Sequence, residues 1–250
     1  VAAPDAQRFA RFGVMRDRVQ VTGDARFDQV WGRIHSPERQ RAPALRALLD
    51  RLRDPEVTTL VAGSTWPPDE AELVPAFARL RMTATVRMII APHEPTDAHL
   101  QGLERTLDAA GLRHARLAAL EARPGMRPEV VVIDRVGILA DLYSIADAAY
   151  VGGGFHAAGL HSVVEPAGFG VPVLFGPRHG NAREAAELVR AGGGFVGRGA
   201  IELETRLLRL VRDAAARAAA GTAARAYVQA NLGGAARNAA LLARLLRPAS

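Results

Sequence analysis

The chain has 250 residues, 49% of them hydrophobic and 23% charged, which is ample material for one large globular core and argues against a disordered or fibrous chain. It contains no cysteine, so a disulfide framework, a thiolate metal site and a cysteine nucleophile are all excluded, and no apolar run approaches the roughly 18 residues that span a bilayer. A formal charge of +6 invites a nucleic-acid reading, but all 32 basic residues are Arg, scattered at helical spacing beside Asp and Glu with little aromatic interleaving, which argues against that partner.

Residues 1–13 lack a basic segment followed by an apolar stretch, so no signal peptide is expected, and the missing initiator Met points to a processed or truncated chain. Beyond them, short β-branched runs alternate with longer Ala/Leu/Arg segments of helical period, the pattern of an α/β fold with a parallel sheet. The first half predicts a strand at 19–22, a helix at 42–53, a strand at 58–62, a helix at 69–81, a strand at 86–91 and a helix at 97–110. The second half predicts strands at 116–120 and 130–133, a helix at 139–146, and a strand at 148–151. A helix at 163–168, a strand at 171–175, a helix at 183–191 and a strand at 194–196 follow, and two Ala/Leu/Arg-rich helices at 202–219 and 223–246 close the chain.

Several helix ends have visible causes. Pro67 and Pro68 precede the acidic first turn Asp69-Glu70, where the helix dipole favours negative charge. Thr96 can cap a helix beginning at Asp97, and Gly111 and Gly192 stand at stop positions. No repeat or low-complexity linker divides the chain, so one doubly wound domain with helices on both faces accounts for nearly all of it.

In such a sheet the ligand lies beyond the carboxyl ends of the strands. Four strand-to-helix turns therefore matter: Gly63 to Trp66, Pro92 to Pro95, Gly152 to Gly154, and Gly176 to Asn181. Gly63-Ser64-Thr65 reads either as a turn with a cap or as small residues whose amides and hydroxyls meet an anion. The triple Gly152–Gly154 is not the spaced dinucleotide fingerprint, and a second triple, Gly192–Gly194, reads as a helix stop with a tight strand entry.

The sharpest segment runs from Gly159 through His161, Ser162, Glu165 and Pro166 to Gly176. It reads as a glycine loop, a short helix carrying a Glu, a turn and a buried strand. The loop supplies amide donors for a phosphate, and a carboxylate one turn inside the helix can accept both hydroxyls of a ribose. The competing reading is a structural salt bridge.

The run Glu165-Pro166-Ala167…Gly170-Val171-Pro172-Val173 resembles the donor-binding signature of glycosyltransferases built from two facing Rossmann-like domains. More narrowly, the chain resembles the Kdo (3-deoxy-D-manno-octulosonate) transferases. Val21 to Asp28 is similar to that family's Val-Thr-Gly-Asn-x-Lys-Phe-Asp segment, and Ala62-Gly63-Ser64-Thr65 to its Ala-Gly-Ser-Thr turn. Pro92-His93-Glu94-Pro95 resembles its Pro-Arg-His-Pro-Glu turn with one residue lost, and Leu142-Tyr143 through Val151-Gly152-Gly153 its Leu-Tyr…Val-Gly-Gly segment. His161 to Pro166 is similar to its His-Asn-x-x-Glu-Pro motif, and Phe175-Gly176-Pro177…Asn181 to its Phe-Gly-Pro…Asn run. The matches keep their order from about Val21 to Gly194. The departures are Ser162 for Asn, Gly159-Leu160 for Gly-Gly, Arg26 for Lys, and the altered loop at His93.

The resemblance implies the C-terminal half of a GT-B architecture: residues 1–23 as the connecting segment from a missing N-terminal domain, and 24–250 as a nucleotide-sugar-binding Rossmann-like domain. It implies that CMP-Kdo is the donor. Ser64, Gly153 and Gly154 would lie near the phosphate, His93 near the nucleotide, Glu165 on the ribose and Asn181 in the site wall, with Thr65, His161 and Ser162 also among the donor-binding residues. The missing half would hold the membrane anchor, the lipid A acceptor site and the general base, and the full-length protein would work at the cytoplasmic face of the bacterial inner membrane. The reaction would be inverting and metal-independent, with no cofactor; His93-Glu94 and His99 lack the spacing of a helical metal site, and Pro95 interrupts the helix it needs. Two other readings are a UDP-sugar transferase or epimerase of the same architecture, and a degenerate nucleotide-binding module without activity.

Overall fold

The computed structural model describes residues 3–36, 43–123 and 125–246. Seven strands form one parallel sheet: β1 (Thr58–Thr65), β2 (Val86–Pro92), β3 (His114–Arg116), β4 (Val130–Val132), β5 (Ala148–Val151), β6 (Val173–Phe175) and β7 (Gly194–Val196). Their order is β3-β4-β2-β1-β5-β6-β7. The strands read as near-continuous apolar runs because helices cover both faces. Leu60 and Ala62 of β1 enter one core, with Met88, Ile90 and Tyr150, whereas Val61 enters the opposite one, with Ile89 and Val131. The chain moves from β1 outward to the β3 edge, returns to β4, then crosses β1 to reach β5. The strand order thus reverses between β1 and β5, where a crevice opens at the carboxyl ends.

The helices are α1 (Ala3–Arg11), α2 (Ala25–Ile34), α3 (Pro43–Leu52), α4 (Pro67–Leu80), α5 (Asp97–Ala109), α6 (Leu117–Ala122) and α7 (Leu139–Leu142), the last continued by a 3-10 turn over Tyr143–Ile145. After them come α8 (Val164–Gly168), α9 (Arg183–Arg190), α10 (Ala200–Arg212), α11 (Ala214–Ala230) and α12 (Gly234–Leu245). The expected ends hold: the Thr96 hydroxyl accepts from the His99 amide at 3.3 Å, and Gly111 and Gly192 adopt φ of 66° and 86° after their helices.

Three expectations are corrected. Residues 19–22 form no strand: the Thr22 carbonyl accepts from a side chain, Arg237 Nε at 2.7 Å, rather than from a neighbouring strand. The strand expected at 116–120 is β3 at 114–116, followed at once by α6. Leu117 and Leu120, three apart and both buried, satisfy a helical period as readily as a strand. The two closing helices are three. Asp213 ends α10 and caps α11 by accepting from the Ala216 amide at 2.8 Å. Gly233, at φ 90°, turns the chain into α12, with the Asp28 carboxylate accepting from its amide at 2.6 Å. Leu207 and Leu210 of α10 are buried, but Leu245 is exposed, because α12 packs on α2 rather than on the sheet. The helix α2 itself was not among the predicted elements, although Asp24 caps it by accepting from the Arg26 amide at 2.9 Å.

Candidate functional site

The site begins where β1 leaves the sheet. Its ladder with β2 breaks between Gly63 and Thr65, and Ser64 is the extra residue. Ser64 has φ 54°, the one non-glycine residue with positive φ among the described residues. Such a conformation is held only where the surroundings impose it, and such positions gather at functional sites. The β5 loop imposes it here. A Cβ on Gly152 would lie 2.0 Å from the Ser64 carbonyl oxygen, and one on Gly154 would lie 2.4 Å from the Gly176 nitrogen. Glycine at these two positions lets the turns after β1, β5 and β6 stack backbone against backbone.

Beneath them is Asp69, in the first turn of α4 and completely buried. One of its oxygens accepts from the Tyr150 hydroxyl at 2.9 Å and the Phe155 amide at 3.1 Å. The other accepts from the Gly153 amide at 2.8 Å and the Trp66 amide at 3.0 Å. The Gly153 amide is therefore occupied, and the contribution of Gly153 is the shape of the loop. Thr65 is equally buried, its hydroxyl donating to Glu70 at 2.8 Å, and Glu70 meets His99 Nε2 at 2.9 Å. Burial pushes the Glu70 carboxyl up, opposed by His99 and by the Thr65 bond.

Above this layer four rings converge. Trp66 stacks on His156 with centroids 4.4 Å apart and planes 7° from parallel, and His93 lies 4.7 Å from Trp66 and 4.3 Å from His161. The indole N–H donates to His161 Nε2 at 3.0 Å. Burial, then the neighbouring His93, hold the His161 imidazole below its ordinary value, with Asp69 opposing and His156 adding to the effect. A neutral His161 whose Nε2 accepts this bond carries its proton on Nδ1. The His156 Nδ1 accepts from the Ala158 amide at 3.2 Å, which leaves Nε2 as its donor. Among the described residues no three His, Cys, Asp or Glu groups converge as metal ligands.

Ser162 makes a local turn, its hydroxyl accepting from the Val164 amide at 3.4 Å. Asn181 clasps the glycine loop, accepting from the Leu160 amide and donating to the Leu160 carbonyl, each at 3.0 Å. Glu165 opens α8, and Arg33 of α2 lies 2.5 Å from its Oε1. This pair lines a cleft of about 230 Å³ together with Asp141, Ser144, Leu49 and Phe169. Tyr143 is buried nearby, and burial followed by the Glu165 charge pushes its phenol far above the usual range. The structure thus brings Ser64, His93, Gly154 and His161 to one edge, with Thr65 and Gly153 just beneath, whereas Glu165 turns to Arg33 on the adjoining face.

Trp66 and Asp69 were not among the candidates. Trp66 in a strand-to-helix turn was the available signal; Asp69 showed only as a helix-dipole acid, and its four donors come from residues far apart in sequence. Nothing local marked Arg33, since α2 was not expected.

No protein-family model matches the chain. It is 30% identical over 154 residues to the 3-deoxy-D-manno-octulosonic acid transferase of Aquifex aeolicus, covering 61% of this chain and 41% of that protein. To the same transferase of Bordetella pertussis it is 31% identical over 179 residues, 70% of this chain and 41% of that one. The chain therefore spans about two fifths of the length of these curated relatives. Among solved structures, the C-terminal CMP-Kdo binding domain of WaaA from Acinetobacter baumannii superposes with a TM-score of 0.64 at 19% identity, covering 76% of this chain and 97% of that one. A putative UDP-N-acetylglucosamine 2-epimerase from Listeria monocytogenes gives a TM-score of 0.61 at 15% identity, covering 97% of this chain and 57% of that one. At such identities the likeness shows the fold, which is the Rossmann-like α/β fold of GT-B glycosyltransferases.

Proposed function

We propose that this chain, homologous to part of the Kdo transferases and folded as a GT-B half, binds CMP-Kdo as the donor-binding domain of a glycosyltransferase. The observation that carries the reading is the strained Ser64 at the strand-order reversal, the position where α/β sheets bind nucleotides. In this reading residues 24–250 are the donor domain, and 1–23 connect it to an acceptor-binding half.

The Ser64 hydroxyl donates to the donor phosphate, beside the turn that Gly154 closes against Gly176. His161 Nδ1–H and the His156 Nε2–H add donors, and His93 borders the nucleotide. These groups stabilise the charge that grows on the CMP phosphate as the anomeric carbon–oxygen bond breaks. Glu165 receives the ribose hydroxyls once Arg33 yields part of its contact, while Thr65, Gly153, Ser162 and Asn181 hold the loops in shape. The acceptor half supplies the base that takes the proton from the attacking hydroxyl, so the displacement inverts the anomeric centre. Lipid A as acceptor, and work at the cytoplasmic face of the inner membrane, follow from the family; no helix among the described residues is long and apolar enough to cross a membrane.

The fold shared with UDP-sugar enzymes favours one competing reading, a UDP-sugar donor. Calorimetric titration with CMP and with UDP separates the two. CMP is expected to bind and UDP not; tight binding of UDP alone overturns the CMP-Kdo assignment, and binding of neither leaves the degenerate module. The isolated chain is expected to bind donor yet transfer nothing to a lipid A precursor, because positioning by a base and an oriented acceptor accounts for several orders of magnitude in rate.

A further inference from the structure

Glu70 and His99 stand outside the candidate residues and yet join the two turns that carry Ser64 and His93. Glu70 lies in the first turn of α4, where the helix dipole favours an acid, but the residue is only 3% exposed. Its Oε1 takes two contacts: the Thr65 hydroxyl donates to it at 2.8 Å, and His99 Nε2 lies 2.9 Å away. The other ring nitrogen of His99, Nδ1, is 3.1 Å from the Glu94 carbonyl. A carbonyl only accepts, so Nδ1 carries hydrogen, and a proton held by either partner bridges Nε2 and the carboxyl. A continuous chain of bonds therefore runs from Thr65 through Glu70 and His99 to Glu94. One end is the residue after Ser64, and the other is the residue after His93. The backbone joins the same two turns once more, the His93 amide donating to the Thr65 carbonyl at 2.9 Å.

Stability alone does not account for this chain. Burial works against the Glu70 charge and pushes its carboxyl up; His99 and Thr65 oppose the shift, and Asp69 adds to it. Apolar side chains of similar volume commonly stabilise a fold as well as a buried pair of this kind. They would not fix direction, however, because apolar contact tolerates sliding, whereas a fully satisfied polar chain specifies one arrangement. Arrangement is what this edge needs. Ser64 holds φ 54°, a conformation that its surroundings must impose, and Thr65 is its next neighbour.

We infer that Glu70 and His99 are positioning residues that hold the Ser64 turn and the His93 turn in the register that binds the donor, an inference that rests on the donor-binding reading of this edge. The test uses the full chain and two variants. His99→Phe keeps a ring but removes both of its bonds. Glu70→Gln is the conservative rescue, because its NH2 can donate to the Thr65 hydroxyl and to His99 Nε2 in place of the bridging proton. Amide hydrogen exchange and calorimetric titration with CMP and UDP are measured on parent and variants. In His99→Phe the His93 amide is expected to exchange about tenfold faster or more, while the Ile89 and Ile90 amides of β2 change little. Affinity for the nucleotide that the parent binds is expected to fall about tenfold, with Glu70→Gln retaining most of it. An unmoved His93 amide, or a rise that Ile89 and Ile90 share equally, overturns the inference. Unchanged nucleotide affinity beside a faster His93 amide overturns it too, as does a loss in Glu70→Gln as deep as that in His99→Phe. A parent that binds neither nucleotide overturns the donor reading instead, and the exchange comparison then still decides whether the pair holds the two turns.

Discussion

Asp69→Asn tests whether one buried carboxylate sets the geometry of the candidate site. The parent side chain accepts four hydrogen bonds, two at each oxygen. An amide must turn its NH2 toward one of these pairs. The Tyr150 hydroxyl can reverse and accept, but a backbone N–H cannot, so the best arrangement places NH2 toward Tyr150 and Phe155. The Phe155 amide is then left unpaired, at a cost of roughly 1–3 kcal/mol, and the bonds from Gly153 and Trp66 fall from charge-assisted to neutral, losing about 1 kcal/mol each. The expected total is about 3–5 kcal/mol, large for a substitution that conserves volume. At roughly 2–4 °C per kcal/mol for a domain of this size, the melting temperature falls by about 6–20 °C. Urea unfolding followed by circular dichroism gives the free energy, and calorimetry gives the melting temperature. Nucleotide affinity should fall too, because the turn from Gly152 to Gly154 loses its anchor. A loss below about 1 kcal/mol would refute the reasoning, since the four donors would then have found other partners without cost.

Glu165→Ala should weaken CMP binding by roughly ten- to a hundredfold, the loss of one charge-assisted hydrogen bond, with the melting temperature of the free protein nearly unchanged. Unchanged affinity with a marked loss of stability would make the Arg33 pair its sole role. Trp66→Phe keeps a ring against His156 but removes the donor to His161 Nε2. Since protonation of His161 must break that bond, its midpoint should rise toward the ordinary imidazole value, read by histidine NMR titration; an unmoved midpoint counts against the bond. In the parent, His161 titrates below about 6.5 when folded and near it when unfolded. Within that window the unfolded state binds more protons, so stability rises with pH, and Trp66→Phe should flatten the slope. Gly154→Ala places a Cβ 2.4 Å from the Gly176 nitrogen, backbone that cannot rotate away. It should cost roughly 2 kcal/mol or more in urea unfolding, and a neutral result would mean that the two turns move apart freely.

Part of the fold rests on local chemistry alone. Continuous apolar runs such as 130–132 and 148–151 can be stable only as strands covered on both faces, so the parallel sheet and the turns that bear the candidate residues were legible. Caps and stops at Thr96, Gly111 and Gly192 were equally legible, because they act within one turn of backbone. Where two periods fit the same residues, as at Leu117 and Leu120, or where a helix break depends on a distant partner, as Asp28 beneath Gly233, local pattern could not decide. The site divides in the same way. Ser64, His93, Gly154 and His161 could be placed at one edge from the sequence because an α/β sheet presents its turns there. Only the tertiary structure could join Trp66 to His156 and His161, bury Asp69 under amides more than eighty residues away in sequence, and set Arg33 against Glu165 across a separation of 132 residues. Sequence records which groups can pair; which of them do pair depends on what packing excludes from water.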